Sequence, residues 1–279
     1  MGSDGNKGLS QAVLLDFFAK LLPPQASNAR DKLIYHQPGR RRPFHHLLLS
    51  ITATEGLYSR LTPNTCLFLH RPWALDRHRV PHGCLVLSSH FRFDETLTVG
   101  FNPHLAGLLG CKVETLVTLS GYKNDPERRI GILGVLQDSQ SLHDLQNRLA
   151  HIFQEEALET VASGSKGVLR AVALMNAFGE EQVNQVAEHF WTTCNAFDPV
   201  PASQVLYITG EPRPAGLERS AALGMPVIFI GHRAAEAWGI RRLAELLQVE
   251  FPDCLVEASF EPEAQPALKP ESQQQSIEP

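Results

Sequence analysis

The chain has no run of about 18 apolar residues, so no transmembrane helix is expected. It also has no excess of basic charge. Its 25 Lys and Arg face 30 Asp and Glu, a formal net charge of -5, which argues against a general affinity for nucleic acid. The one basic run, Arg40-Arg41-Arg42, follows Pro38-Gly39 and reads as a solvated loop. The five cysteines are scattered and include no C-x-x-C pair. That excludes a disulfide framework and a zinc ribbon, and it fits a reducing compartment. No apolar stretch follows a basic start near Met1, so no signal peptide is expected; Asn6 stands where a myristoylation motif needs Ser or Thr. A cytoplasmic protein is therefore expected, with nucleus and mitochondrion left open. Neither a phosphate-binding G-x-x-x-x-G-K-[ST], nor G-x-S-x-G, nor H-E-x-x-H occurs, so three common enzyme classes lack their marker.

What is present is ample apolar material. Hydrophobic residues make up 43% of the 279, enough for one large domain or two intimately joined lobes. Helical spacing of Val13, Leu14, Phe17, Phe18, Leu21 and Leu22 predicts a first helix, capped by Ser10 and stopped by Pro23-Pro24. Residues 25–44 read as a connection. Strands are expected at 46–52, 65–69, 84–88, 113–119, 130–137, 167–175, 204–209, 226–230 and 253–258. Helices are expected at 55–61, 102–109, 142–153, 180–190, 217–223 and 234–247. Asn102 is the expected cap of the second of these, with Pro103 first in the helix and Gly110 closing it. Strands and helices alternate, and the strands lack period-two patterning, so the fold class is α/β with sheets covered on both faces. Residues 1–8 and 261–279 are polar and read as disordered tails around a domain spanning 9–258. The glycines of Gly131-Ile132-Leu133-Gly134 mark a bulge or a close backbone approach.

The residues that follow directly on buried strands carry the chemistry. TCLFL runs into His70-Arg71-Pro72, CLVLSS into His90 and Asp94, and PVIFI into Gly231-His232 with Glu236 four residues on. In α/β folds ligands bind at that carboxyl edge of the sheet. If the three strands are neighbours, His70, His90, Asp94, His232 and Glu236 converge. Imidazole and carboxylate without thiol suit a divalent ion such as Zn, Mn, Fe or Mg. His232 and Glu236, spaced i, i+4 on a first helical turn, would share a face. The alternative is structural, since a histidine at a strand end is more often a hydrogen-bonded rim residue than a ligand. His45-His46 begins a strand and reads as such a rim pair, and His78 and His82 are given no role. Thr209-Gly210-Glu211 is either a turn or a carboxylate beside the same cleft.

Four segments, CLFLHRPWAL, HFRFDETLTVGFNPHLAGLLG, YITGEPRPAGL and GHRAAEAWGIRRLAELL, resemble in order and spacing the Nif-three-like proteins (NGG-one-interacting factor three). These are also labelled GTP cyclohydrolase 1 type 2-like. The resemblance runs from about Ser10 to Val256. It implies a two-lobed α/β fold, each lobe a sheet flanked by helices, and a homo-oligomer built as a hexamer of dimers. It also implies a divalent-metal site of one or two ions per subunit, with His70, Asp94, His232 and Glu236 as ligands. His90 and Glu211 are then the candidate proton carriers of a metal-dependent hydrolase acting on a small phosphorylated or nucleotide-like molecule. Two departures stand out. Arg71 occupies the place of a second histidine after His70, and Pro212-Arg213-Pro214 replaces a basic or histidine pair. A guanidinium has no lone pair to give a metal, so Arg71 implies one lost ligand and a positive charge in its place. A non-catalytic regulatory or scaffold protein with a partly degenerate site, working through protein partners, is the alternative.

Overall fold

The chain's computed structural model describes residues 8–23, 32–39, 43–161, 167–193 and 200–261. Ser10 caps α1 (Gln11–Leu21), accepting a hydrogen bond from the Val13 amide. Then come β1 (Ile34–His36), β2 (His46–Thr52), α2 (Glu55–Arg60), β3 (Thr65–Arg71) and β4 (Leu85–Ser88). The helices α3 (Phe91–Leu97) and α4 (Pro103–Leu108) lead to a second group of elements. These are β5 (Val117–Tyr122), β6 (Asp125–Gln140), α5 (Leu142–Phe153), β7 (Glu159–Val161), β8 (Leu169–Met175), α6 (Glu180–Thr193), β9 (Val205–Thr209), α7 (Pro214–Ala222) and β10 (Val227–Phe229). The chain then returns through α8 (His232–Glu250) to β11 (Leu255–Ser259).

The strands form two sheets, one per lobe. The first has the order β1-β4-β3-β2-β11, parallel except for β1. The second has the order β5-β6-β8-β9-β10-β7, in which only the β8-β9-β10 centre is parallel. The α/β expectation with two lobes therefore holds. The reason is visible in β3, where Thr65 to His70 are all buried: a strand covered on both faces has no polar side to alternate.

The joint between the lobes decides where chemistry can sit. Helix α8 follows β10 of the second sheet, packs against α3 and β2, and delivers β11 to the first sheet. Its Ala235 and Trp238 belong to the second lobe's core, its Ile240, Leu243 and Leu247 to the first lobe's. One helix is thus shared by two cores, and each fully buried leucine among these contributes about 1.5–3 kcal/mol. The α8–α3 contact depends on Gly239. A Cβ there would lie 2.6 Å from the Leu97 carbonyl oxygen and 2.8 Å from the Phe93 ring.

Several boundaries differ from the sequence reading, for local reasons. Residues 25–44 include β1, too short for a periodic signal. Val113–Thr115 is a 3-10 turn, and the expected strand begins only at Val117. The strand around 130–137 is the centre of the 16-residue β6. Gly131 there marks a close backbone approach, since a Cβ on it would lie 2.2 Å from the Leu174 carbonyl oxygen, whereas one on Gly134 would meet the Cys111 and Leu116 side chains. The sequence did not separate out β7 or α3. The tails at residues 1–7 and 262–279, the Arg40-Arg41-Arg42 run and Cys194 lie outside the described residues. The other four cysteines are free and buried. No helix among the described residues is long and apolar enough to cross a membrane.

Candidate metal centre

Three chain segments deliver the site, each for a readable reason. His70 is the penultimate residue of β3, fully buried at 0% exposure. The next strand, β4, ends at Ser88, and His90 precedes α3, whose buried Phe93 and Leu97 hold the helix against the first core. Asp94 then lies one turn along from His90. Gly231, at φ 84°, turns the chain out of β10 and starts α8 at His232, with Glu236 one turn later and 2% exposed. β3 and β4 are neighbours, but β10 lies in the other sheet. The residues converge across the lobe joint, not along one sheet edge as the sequence suggested.

Nε2 of His70 lies 2.9 Å from Glu236 Oε1, 3.2 Å from Asp94 Oδ1 and 3.3 Å from His90 Nδ1. His90 Nδ1 is 3.5 Å from Asp94 Oδ2. His70, His90 and Asp94 each offer a ligand atom within 4.8 Å of the other two. Donor atoms bound to one ion at about 2.0–2.2 Å stand roughly 3–4.5 Å apart, so this triangle has the right size. The far nitrogen of His70, Nδ1, donates to the Ser89 carbonyl at 3.2 Å, so Nε2 is the nitrogen that faces the cluster. The Phe93 ring packs against the His70 ring at 4.5 Å and fixes its plane. His232 reaches Glu236 Oε1 at 3.1 Å but is half-exposed, at the edge of the group.

The charges show what the cluster wants. Burial alone would lower the pKa of His70, but hydrogen bonds to Asp94 and Glu236 outweigh it and raise it to about 9. Burial likewise opposes ionisation of Glu236, yet His232, His70 and Arg71 hold it down at about 2. For His90, burial and the nearby charges of His70 and Arg71 prevail over Asp94, so its pKa falls and the ring is neutral near pH 7. His232 is shifted up, chiefly by its hydrogen bond to Glu236. Two carboxylates thus draw a proton onto an imidazole nitrogen that has only acceptors and a second imidazole around it. A divalent cation fits that position, and the donor set matches one.

Arg71 does not turn away. Its Nε and Nη2 donate to Glu236 Oε1 at 2.8 and 2.6 Å, on the same oxygen that His70 and His232 approach. The guanidinium therefore neutralises the carboxylate from one side. His46 is remote from all this, paired with Glu257 at 2.7 Å, as a rim residue would be.

The cluster opens into a cavity of about 680 Å³ between the lobes, lined by Asp94, Glu236 and His232 at one end. That volume suits a small-molecule ligand. Glu211 also lines this cavity, exposed and 3.8 Å from Arg213. The position of Asp94 four residues after His90 was legible in the sequence, but not the helix α3 that sets it one turn along. The cationic wall of the cavity, from Lys123, Arg128 and Arg129, was missed because it comes from a hairpin distant in sequence.

The sequence profile of the family Duf34/NIF3 (NGG1p interacting factor 3) matches residues 77–266, more than half of the chain. The chain belongs to the Duf34/NIF3 family. The matched span contains His90, Asp94, His232 and Glu236 and begins just after His70 and Arg71. Two curated relatives carry the name GTP cyclohydrolase 1 type 2 homolog. The one from Deinococcus radiodurans is 26% identical over 164 residues, 59% of this chain and 55% of that protein. The one from Archaeoglobus fulgidus is 34% identical over 77 residues, 27% of this chain and 31% of that protein. The matches thus span about half or less of these relatives' length. Among solved structures, protein ybgI, of unknown function, aligns with a TM-score of 0.63 at 18% identity, covering 91% of this chain and 99% of that one. A Bacillus cereus protein related to NIF3 aligns with a TM-score of 0.57 at 13% identity, over 90% and 96%. These likenesses establish the Duf34/NIF3 fold; they do not by themselves carry an activity.

Proposed function

We propose that the chain binds one divalent ion through His70, His90 and Asp94, with Glu236 beside it, and acts as a metal-dependent hydrolase on a small phosphorylated molecule. The observation that carries this reading is the surroundings of His70 Nε2, a buried nitrogen aimed between two carboxylates and a neutral imidazole. When bound, the ion would supply an activated water and polarise a phosphoryl oxygen. The chain's own residues supply the rest. Ser89 sets the His70 tautomer, Phe93 holds its ring, and Arg71 balances Glu236. Glu211, which lines the same cavity, would be the proton carrier in this reading. The names of the curated relatives agree with a nucleotide-like substrate but are borne by proteins that this chain matches only in part.

A second reading has one specific observation behind it. The Arg71–Glu236 contact occupies a carboxylate that the family resemblance assigns to metal binding, which favours a regulatory or scaffold protein with a reduced site. A phosphatase assay of the metal-loaded native protein beside Asp94→Asn separates the two. On the first reading the substitution removes both bound metal and phosphatase activity toward small phosphomonoesters. On the second, the native protein shows no such activity even when metal-loaded.

A further inference from the structure

In the cavity lining, the exposed Phe91 ring and the partly buried Tyr122 ring meet cations that have no ion pair among the described residues. Phe91 is 52% exposed, whereas the Phe93 and Leu97 side chains of α3 are buried in the first lobe's core. From the opposite lobe, the Arg128 guanidinium lies 5.1 Å from the Tyr122 ring centre and 5.7 Å from that of Phe91. The Lys123 ammonium lies 5.2 Å from Tyr122. The neighbouring cations are committed elsewhere. Arg129 bonds Glu95 at 3.0 Å and stacks on Phe101 at 4.3 Å, and Arg213 faces Glu211. Arg128 and Lys123 have no ion pair among the described residues.

A tight hairpin turn carries two of these groups. Tyr122 pairs with Asp125 across a two-residue turn, Lys123-Asn124, with both turn residues at positive φ, 50° and 65°. Such a turn matches the twist of its strands and holds the hairpin tip in place. The Phe91 ring also lies 5.2 Å from the His90 ring, so this exposed ring adjoins the histidine–carboxylate cluster.

We propose that Phe91, Tyr122, Arg128 and Lys123 form a second subsite that takes the planar ring of a heteroaromatic phosphate, such as a nucleoside monophosphate, whose phosphate points toward the His70–Asp94 cluster. An exposed ring and a loosely stacked guanidinium are the groups on which flat heterocycles stack, and two unpaired cations draw an anion to the mouth. The placement of the phosphate rests on the metal-centre reading above; the stacking of the ring does not.

Calorimetric titration of the full-length Mn-loaded protein with AMP, ribose 5-phosphate and adenosine tests it. AMP is expected to bind at least about tenfold more tightly than ribose 5-phosphate, which lacks the ring. Phe91→Ala should reduce that ratio to about one while leaving ribose 5-phosphate affinity and metal content unchanged. Phe91→Tyr, which keeps a ring, should retain it. Equal affinities for AMP and ribose 5-phosphate in the native protein, no AMP binding, or a ratio that survives Phe91→Ala would each overturn the subsite. If the protein binds no metal, the metal-centre reading fails alone, because the AMP preference can still be measured on the metal-free chain.

Discussion

Replacing Arg71 by histidine tests the structural role given to the guanidinium. Arg71 places two nitrogens within 2.8 Å of Glu236 Oε1, so a second ion on that carboxylate would stand about 4 Å from a fixed positive charge. Two unit charges at that distance repel by about 4 kcal/mol at an effective dielectric near 20, and a divalent ion doubles this. The charge of Glu236 and partial solvent access reduce the penalty; if half survives, about 4 kcal/mol remains, roughly a thousandfold in affinity. Arg71→His removes the charge and adds a donor, so the variant should bind about two ions where the native chain binds about one. Arg71→Lys should remain at about one, because it keeps a cation near the same carboxylate. Calorimetric titration with Mn or Zn, checked by elemental analysis, reads the stoichiometry. Equal values for the native and histidine forms would refute the idea that this guanidinium stands in for a second ion.

Other expected outcomes follow from the same structure. Glu236→Gln leaves His70, Arg71 and His232 without their shared buried anion and should cost the metal-free protein about 3–5 kcal/mol by denaturant titration; a loss below about 1 kcal/mol would mean the cluster relaxes into solvent. Gly239→Ala forces α8 away from Leu97 and Phe93 and should cost about 1–3 kcal/mol by overpacking, read as a lowered melting temperature; an unchanged one would mean the lobes adjust freely. At Glu257, burial favours the neutral acid, but Arg60 and His46 outweigh it and hold its pKa below the usual carboxylate range. Its stabilising contribution is therefore present above about pH 4.5 and is lost as pH falls through the depressed value, so Glu257→Gln should flatten the acid limb of a stability–pH profile. From the family resemblance alone we propose a closed homo-oligomer, a hexamer of dimers, for which light scattering should give a mass far above 30.9 kDa; a monomer at micromolar concentration would contradict this.

Much of this arrangement was readable beforehand because buried strands and their polar exits are local signals. The apolar run of β3 ending in His70 and the i, i+4 spacing of His232 and Glu236 each point to a side chain at a definite place. What was not local was not readable. No spacing reveals that β10 belongs to the other sheet, because the crossing is made by α8, a helix whose two ends belong to different cores. The departure at Arg71 was visible as a residue type, but its bond to Glu236 depends on positions 165 residues apart. The Phe91–Arg128 pairing likewise joins α3 to β6 across the cavity. His90 was read as a proton carrier. The geometry instead groups it with His70 and Asp94 as a candidate ligand, since its Nδ1 faces both.

The most direct measurement is the metal content of the native protein, purified without chelator and then equilibrated with Mn or Zn, alongside Asp94→Asn. About one divalent ion per chain is expected in the native form, and a loss of most of it in the variant, since Asp94 supplies one corner of the donor triangle. No bound ion in the native protein after equilibration, or the same content in the native protein and the variant, would contradict the metal centre at His70, His90 and Asp94.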